Sequence, residues 1–136
     1  MKSKASAPLY SEIISSFCKA IDDARLDYAW NYDQVNKMDK LTQDYLHMLE
    51  LDDLDYRKRA KVATQISKCR QLRRAHKDTV EILEPLIFFF GTEKGKQLVN
   101  LSKEILGQMR KLEDRMENRI YFPRVLEQKE KEDLTK

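Results

Sequence analysis

The sequence predicts an all-α fold: three long helices in an antiparallel, coiled-coil-like bundle with a short, proline-kinked apolar corner. Three observations predict it. Charged residues make up 36% of the chain while glycine (3) and proline (3) are scarce, a composition rich in helix formers and poor in turn formers. From Leu9 to Glu84 there is neither glycine nor proline, which argues against frequent turns. Apolar residues also recur at helical spacing over three long stretches.

The first helix rests on the series Tyr10, Ile14, Phe17, Ile21, Ala24, Tyr28, Asn31, Val35, Met38, Thr42, Tyr45 and Leu49, ten of which are apolar or aromatic. That is one long amphipathic helix, with Asn31 as the place where a break would fall. Asp52, Asp53 and Asp55 interrupt the pattern. Aspartate caps helix starts and suits the positive end of the helix dipole, so a second helix begins near them. Its seam is Val62, Ile66, Cys69, Arg73, His76, Val80 and Leu83, and Pro85 kinks or ends it.

The run "PLIFFFG" is apolar all the way round a helix, which marks a buried corner or a contact between subunits. Gly91 closes it, and Thr92 is the expected N-cap of the third helix. That helix shows Leu98, Leu101, Ile105, Met109, Leu112, Met116 and Ile120. The pattern is lost at Pro123. Residues 1–126 therefore form one domain, and the charged segment 127–136 is expected to fray.

Short turns between long helices fold the chain antiparallel. Pivoting the first two helices about residues 52 and 53 sets Asn31 opposite Arg73 as a polar layer, with His76 near Tyr28. It also sets Cys69 opposite Asn36, eighteen residues from Cys18. At about 1.5 Å per residue the thiols are roughly 27 Å apart, too far for a disulfide.

Several function classes lack their chemistry. "GTEKGK" has neither the spacing nor the final Lys-Ser/Thr pair of a phosphate loop. His47 and His76 are isolated, and two cysteines 51 residues apart make no metal-ligand pattern. The clusters "DDARLD" and "ELDDLD" suit caps and solvated faces. No catalytic, metal or cofactor site is expected. The longest apolar run is too short for a membrane span, and no hydrophobic core follows the first lysines as in a signal peptide. A soluble cytoplasmic protein is the expectation.

One stretch stands apart. Residues 57–77, "RKRAKVATQISKCRQLRRAHK", carry nine lysines and arginines and no carboxylate. At 100° per residue these line both flanks of the second helix: Arg57, Lys61 and Lys68 on one, Arg59, Arg70, Arg74 and Lys77 on the other. In the antiparallel register the neighbouring residues, including 105–124 of the third helix, leave the positive charge only partly answered. A solvated flank covering apolar surface is one reading; an electrostatic footprint for phosphates or an acidic surface is the other. The absence of aromatic residues from the stretch tells against a single-strand stacking platform, and no arrangement for sequence-specific readout is present.

The segments "RRAHKDTVEILEPL" and "EKGKQLVNLSKEILGQMRKLEDRMENRIYFPRVLE" resemble small, highly charged helical proteins encoded by phages and prophages of Gram-positive bacteria, over roughly residues 70–127. The resemblance implies an accessory protein of the host cytoplasm that works by binding, as an inhibitor of host defence or a partner of replication and recombination machinery. The expectation is a non-catalytic regulator or inhibitor engaging an anionic host protein or nucleoprotein surface. Sequence-independent nucleic-acid binding is the alternative, and a self-assembling structural protein is a further one; a homodimer would form through the corner at Phe88, Phe89 and Phe90 or through the seam of the first helix.

Overall fold

The computed structural model describes residues 9–136, which form four helices: α1 (Tyr10–Leu51), α2 (Tyr56–Gly91), α3 (Glu93–Glu117) and a short α4 (Gln128–Leu134). The three long helices pack against one another, with no strand among the described residues. The all-α bundle expected from the sequence is the fold.

The 42 residues of α1 span about 63 Å at 1.5 Å per residue. The helix is unbroken at Asn31, whose amide nitrogen donates to the Asp27 carbonyl of the preceding turn at 2.7 Å. Ile21, Ala24, Asn31, Met38 and Thr42 are buried along its seam, opposite Val62, Cys69 and Val80 of α2. Buried Thr42 satisfies its hydroxyl by donating to the Met38 carbonyl at 2.8 Å. Both cysteines are buried and free.

Three contacts fix the antiparallel pairing: Arg25 with Phe90, Asn31 with His76, and Asp39 with Arg73. The polar layer therefore joins Asn31 to His76 rather than to Arg73. The reason lies in the turn. Residues 52–55 lie outside both helices, so the fold pivots between 53 and 54, and residue 31 comes level with 76. Because the Asn31 nitrogen faces Asp27, its oxygen faces the ring, and His76 Nδ1–H donates to it at 2.8 Å. The Trp30 ring stands edge-on to the imidazole, with centroids 5.3 Å apart.

Asp55 caps α2, its carboxylate accepting from the Lys58 N–H at 2.8 Å. The helix continues past Pro85 to Gly91, so the apolar run forms its last turns and the corner leading into α3. Phe90 is buried there, 6.1 Å from the Phe17 ring centroid and 5.0 Å from that of Phe89 in edge-on contacts. Phe88 and Phe89 are exposed. Arg25 donates to the Phe90 carbonyl at 3.2 Å, a cation at the negative end of α2.

Only Thr92 separates α2 from α3. Its hydroxyl accepts from the Gly95 N–H at 3.2 Å and caps α3. Gly95 is buried against the end of α2, and a Cβ there would lie 2.6 Å from Phe90 Cα and 2.8 Å from the Phe89 carbonyl carbon. Further along, Ser11 donates to Glu113 at 2.9 Å and Arg110 to Ser15 at 3.2 Å. This part of α3 thus sits at the first turns of α1, not alongside residues 57–77. The one-residue link at Thr92 keeps α3 at the open end of the hairpin. In α4, Lys131 donates to the Tyr121 carbonyl at 2.8 Å with its ammonium 5.6 Å from the Tyr121 ring centroid.

Candidate functional site

The unbroken helical course of α2 sorts the basic residues into two edges, and the structure gives these edges different surroundings. On one edge, Asp39 of α1 answers two arginines. Arg73 Nε donates to its carboxylate at 2.6 Å and Arg70 donates at 3.3 Å. The Arg73 side chain is 19% exposed, so its pairing is partly sheltered, while Arg70 and Asp39 lie open to water. Arg74 lies 3.9 Å from Asp78 of its own helix, one turn on.

Lys77 is half-buried and lines a hollow of about 370 Å³ with Tyr32, Asp39, Arg73, Glu81 and Glu84. Three carboxylates face two cations in that lining, so the hollow has no bias towards an anion. Arg59, near the start of the same edge, is exposed and has no carboxylate within 4.0 Å among the described residues.

The other edge differs. Arg57, Lys61 and Lys68 are exposed, and none of the three has an ion-pair partner within 4.0 Å among the described residues. Lys68 lies eleven helical steps beyond Arg57, about 17 Å of rise. Their long stems can lie along the α2 surface and hold the charged heads in water. The row is thus a line of positive charge whose counterions are mobile. With α3 displaced to the far end of the hairpin, no helix 3 charge of either sign lies beside it.

Of the seven residues singled out for an anionic partner, the structure therefore leaves Arg57, Arg59, Lys61 and Lys68 open. It engages Arg70 and Arg74, and leaves Lys77 half-buried in a hollow whose lining also holds Asp39, Glu81 and Glu84. Sequence reasoning sets Asp39 alongside the basic stretch only as one carboxylate among several, and misses its pairing with Arg70 and Arg73. Asp39 lies more than one turn along α1 from the position directly opposite Arg73, and only the reach of an arginine stem joins them. Among the described residues no group of three His, Cys, Asp or Glu side chains could hold a metal ion, and no helix is long and apolar enough to cross a membrane. No protein-family model, curated protein or solved structure matches this chain.

Proposed function

We propose that the protein is a non-catalytic binding protein whose α2 edge of Arg57, Lys61 and Lys68 engages a negatively charged macromolecular surface. The observation that carries this reading is the unequal treatment of the two edges. The fold spends Asp39 and Asp78 on Arg70, Arg73 and Arg74, and leaves the row at 57, 61 and 68 without a carboxylate. Exposed cations held in a row on one helix need no backbone rearrangement to meet an anionic surface, and they steer its approach.

The resemblance of residues 70–127 to phage and prophage proteins makes the partner a host protein or nucleoprotein, and the action that of a regulator or inhibitor in the bacterial cytoplasm. The modest net charge of +3 favours such a partner over naked nucleic acid, because weak overall charge gives weak non-specific binding to a polyanion. Sequence-independent contact with phosphates is the second reading, supported by the linear spacing of the row.

Fluorescence anisotropy with labelled duplex DNA, single-stranded DNA and RNA over a salt series separates the two. A phosphate-contacting edge gives a linear log–log loss of affinity with salt. Replacing Arg57, Lys61 and Lys68 with glutamine then lowers the duplex slope by about 2.7, at roughly 0.9 per phosphate contact. Replacing Arg70, Arg73 and Arg74 leaves the slope nearly unchanged. A protein-docking edge gives no nucleic-acid binding, and a host protein captured by the wild-type chain is lost from the Arg57/Lys61/Lys68 variant. Retention of every partner by that variant refutes the edge as a binding surface.

A further inference from the structure

The helix α3 carries two apolar lines, and the fold uses one. Gly95 and Leu106 are buried and Val99, Ser102, Met109 and Glu113 half-buried on the packed line. The second line lies one residue earlier at each step: Leu98, Leu101, Ile105 and Leu112, continued by Met116. These five side chains are 42–56% exposed. At 100° per residue the two lines are about a quarter-turn apart, so the second faces sideways, clear of α1. Its near-heptad spacing is that of a helix-pairing seam.

We propose that this seam is covered by the α3 of a second copy of the chain, running antiparallel. The seam is self-complementary about Gly107. Setting Leu98 against the second copy's Met116 also sets Ile105 against its Met109, and brings Leu101 within one residue of its Leu112. Leu98, Leu101, Leu112 and Met116 thus meet apolar residues of the stripe itself, and Ile105 meets half-buried Met109 at the border with the packed line, so the single surface serves both sides of a two-fold interface.

The charges beside the stripe agree. Glu104 and Lys111 lie on its outer edge, and neither has an ion-pair partner among the described residues. The same register brings Glu104 of each copy within one residue of Lys111 of the other, giving two opposite-charge contacts by symmetry. The remaining outer-edge positions include uncharged Gln97 and Gln108, so no like charges meet at the centre. A parallel, in-register pair would instead set each charge level with its own copy. The stripe is about 27 Å long, or roughly two and a half heptads, so the dimer dissociates on dilution. This inference is independent of the basic edge, which lies at the opposite end of α2.

Sedimentation velocity of the full chain over a wide concentration series tests it. Reversible dimerisation is expected, weakened roughly tenfold or more by Ile105→Glu at the centre of the seam. Circular dichroism checks that this half-exposed position leaves the fold intact. Glu104→Lys alone weakens the dimer, and adding Lys111→Glu restores it, a rescue that a merely structural effect would not give. Gln108→Cys, near the two-fold axis, forms a disulfide-linked dimer on oxidation, whereas Gln97→Cys, about 30 Å from its own copy in this register, does not. A monomer at all concentrations, a dimer indifferent to Ile105→Glu, failure of the charge-swap rescue, or efficient cross-linking at position 97 overturns the proposal.

Discussion

Replacing Gly95 with alanine sets two well-calibrated effects against each other. Alanine is the better helix former by about 1 kcal/mol, because glycine loses more backbone freedom on folding. At this position, however, the methyl group would collide with the Phe89 carbonyl group and lie 2.6 Å from Phe90 Cα. These are backbone atoms and cannot rotate away. Relief requires α3 to move off the end of α2, which stretches the 3.2 Å cap from Gly95 N–H to Thr92 and loosens Phe90. Overpacking of this kind costs about 1–3 kcal/mol, and the upper part of that range applies where the obstacle is main chain. The net expectation is a loss of about 1–2 kcal/mol after the helix-propensity gain. For a chain of this size that is a fall in Tm of about 3–8 °C. Gly107 supplies the control, since it lies in the same helix with nothing within 4 Å of its added Cβ. Gly107→Ala is expected to raise Tm by about 3–5 °C. Thermal unfolding followed by circular dichroism, at one protein concentration because self-association shifts the midpoint, measures both. A Gly95→Ala protein as stable as the wild type, or stabilised like Gly107→Ala, would refute the close approach of α3 to α2.

Asp39→Ala is expected to act with opposite signs on two properties. Stability falls by about 1–2 kcal/mol, between the values for exposed and buried pairs, because sheltered Arg73 loses its partner. Binding to an anionic partner strengthens modestly, because losing a carboxylate raises the net positive charge by one. Chemical denaturation and anisotropy read the two separately. Phe90→Ala should cost about 2–4 kcal/mol by opening the corner against Phe17, whereas Phe88→Ala, at an exposed position, should stay within about 0.5 kcal/mol; equal effects would contradict the packing described. Asp55→Ala should remove about 1 kcal/mol by uncapping α2, measurable as a shift in the urea midpoint.

The seams of α1 and α2 were legible because a two-helix hairpin has one apolar line per helix, and periodicity finds it. Thr92 and Asp55 were legible as caps for a similar reason: a short polar side chain before a helical pattern has few other uses. The α3 seam misled. Leu98, Leu101 and Ile105 announce an apolar face, but periodicity does not say whether that face has a neighbour within the same chain. Its packed line is anchored by Gly95, which carries no hydrophobic signal, yet permits the close approach of α3 to the end of α2. At the candidate site, composition located the positive charge, but its division into answered and open edges depended on Asp39, a contact set by side-chain reach rather than by register. The Asn31–His76 layer missed its partner because the turn is centred between 53 and 54, one residue later than the sequence placed it, which carries the residue facing Asn31 along α2 to His76.

The single-residue link at Thr92 also makes the phase of α3 unusually consequential. Its exposed line is its packed line moved back by one position, so that Leu98 precedes Val99, Leu101 precedes Ser102, Ile105 precedes Leu106 and Leu112 precedes Glu113. Adding one residue ahead of Gly95 would turn the helix by 100° and carry four large aliphatic side chains into the places now held by two aliphatic residues, a serine and a glutamate. By hydrophobicity alone that rotated helix is the better plug for the open end of the hairpin. What holds the native phase is a glycine and a hydroxyl, and the chain thereby keeps its greasier side on the outside.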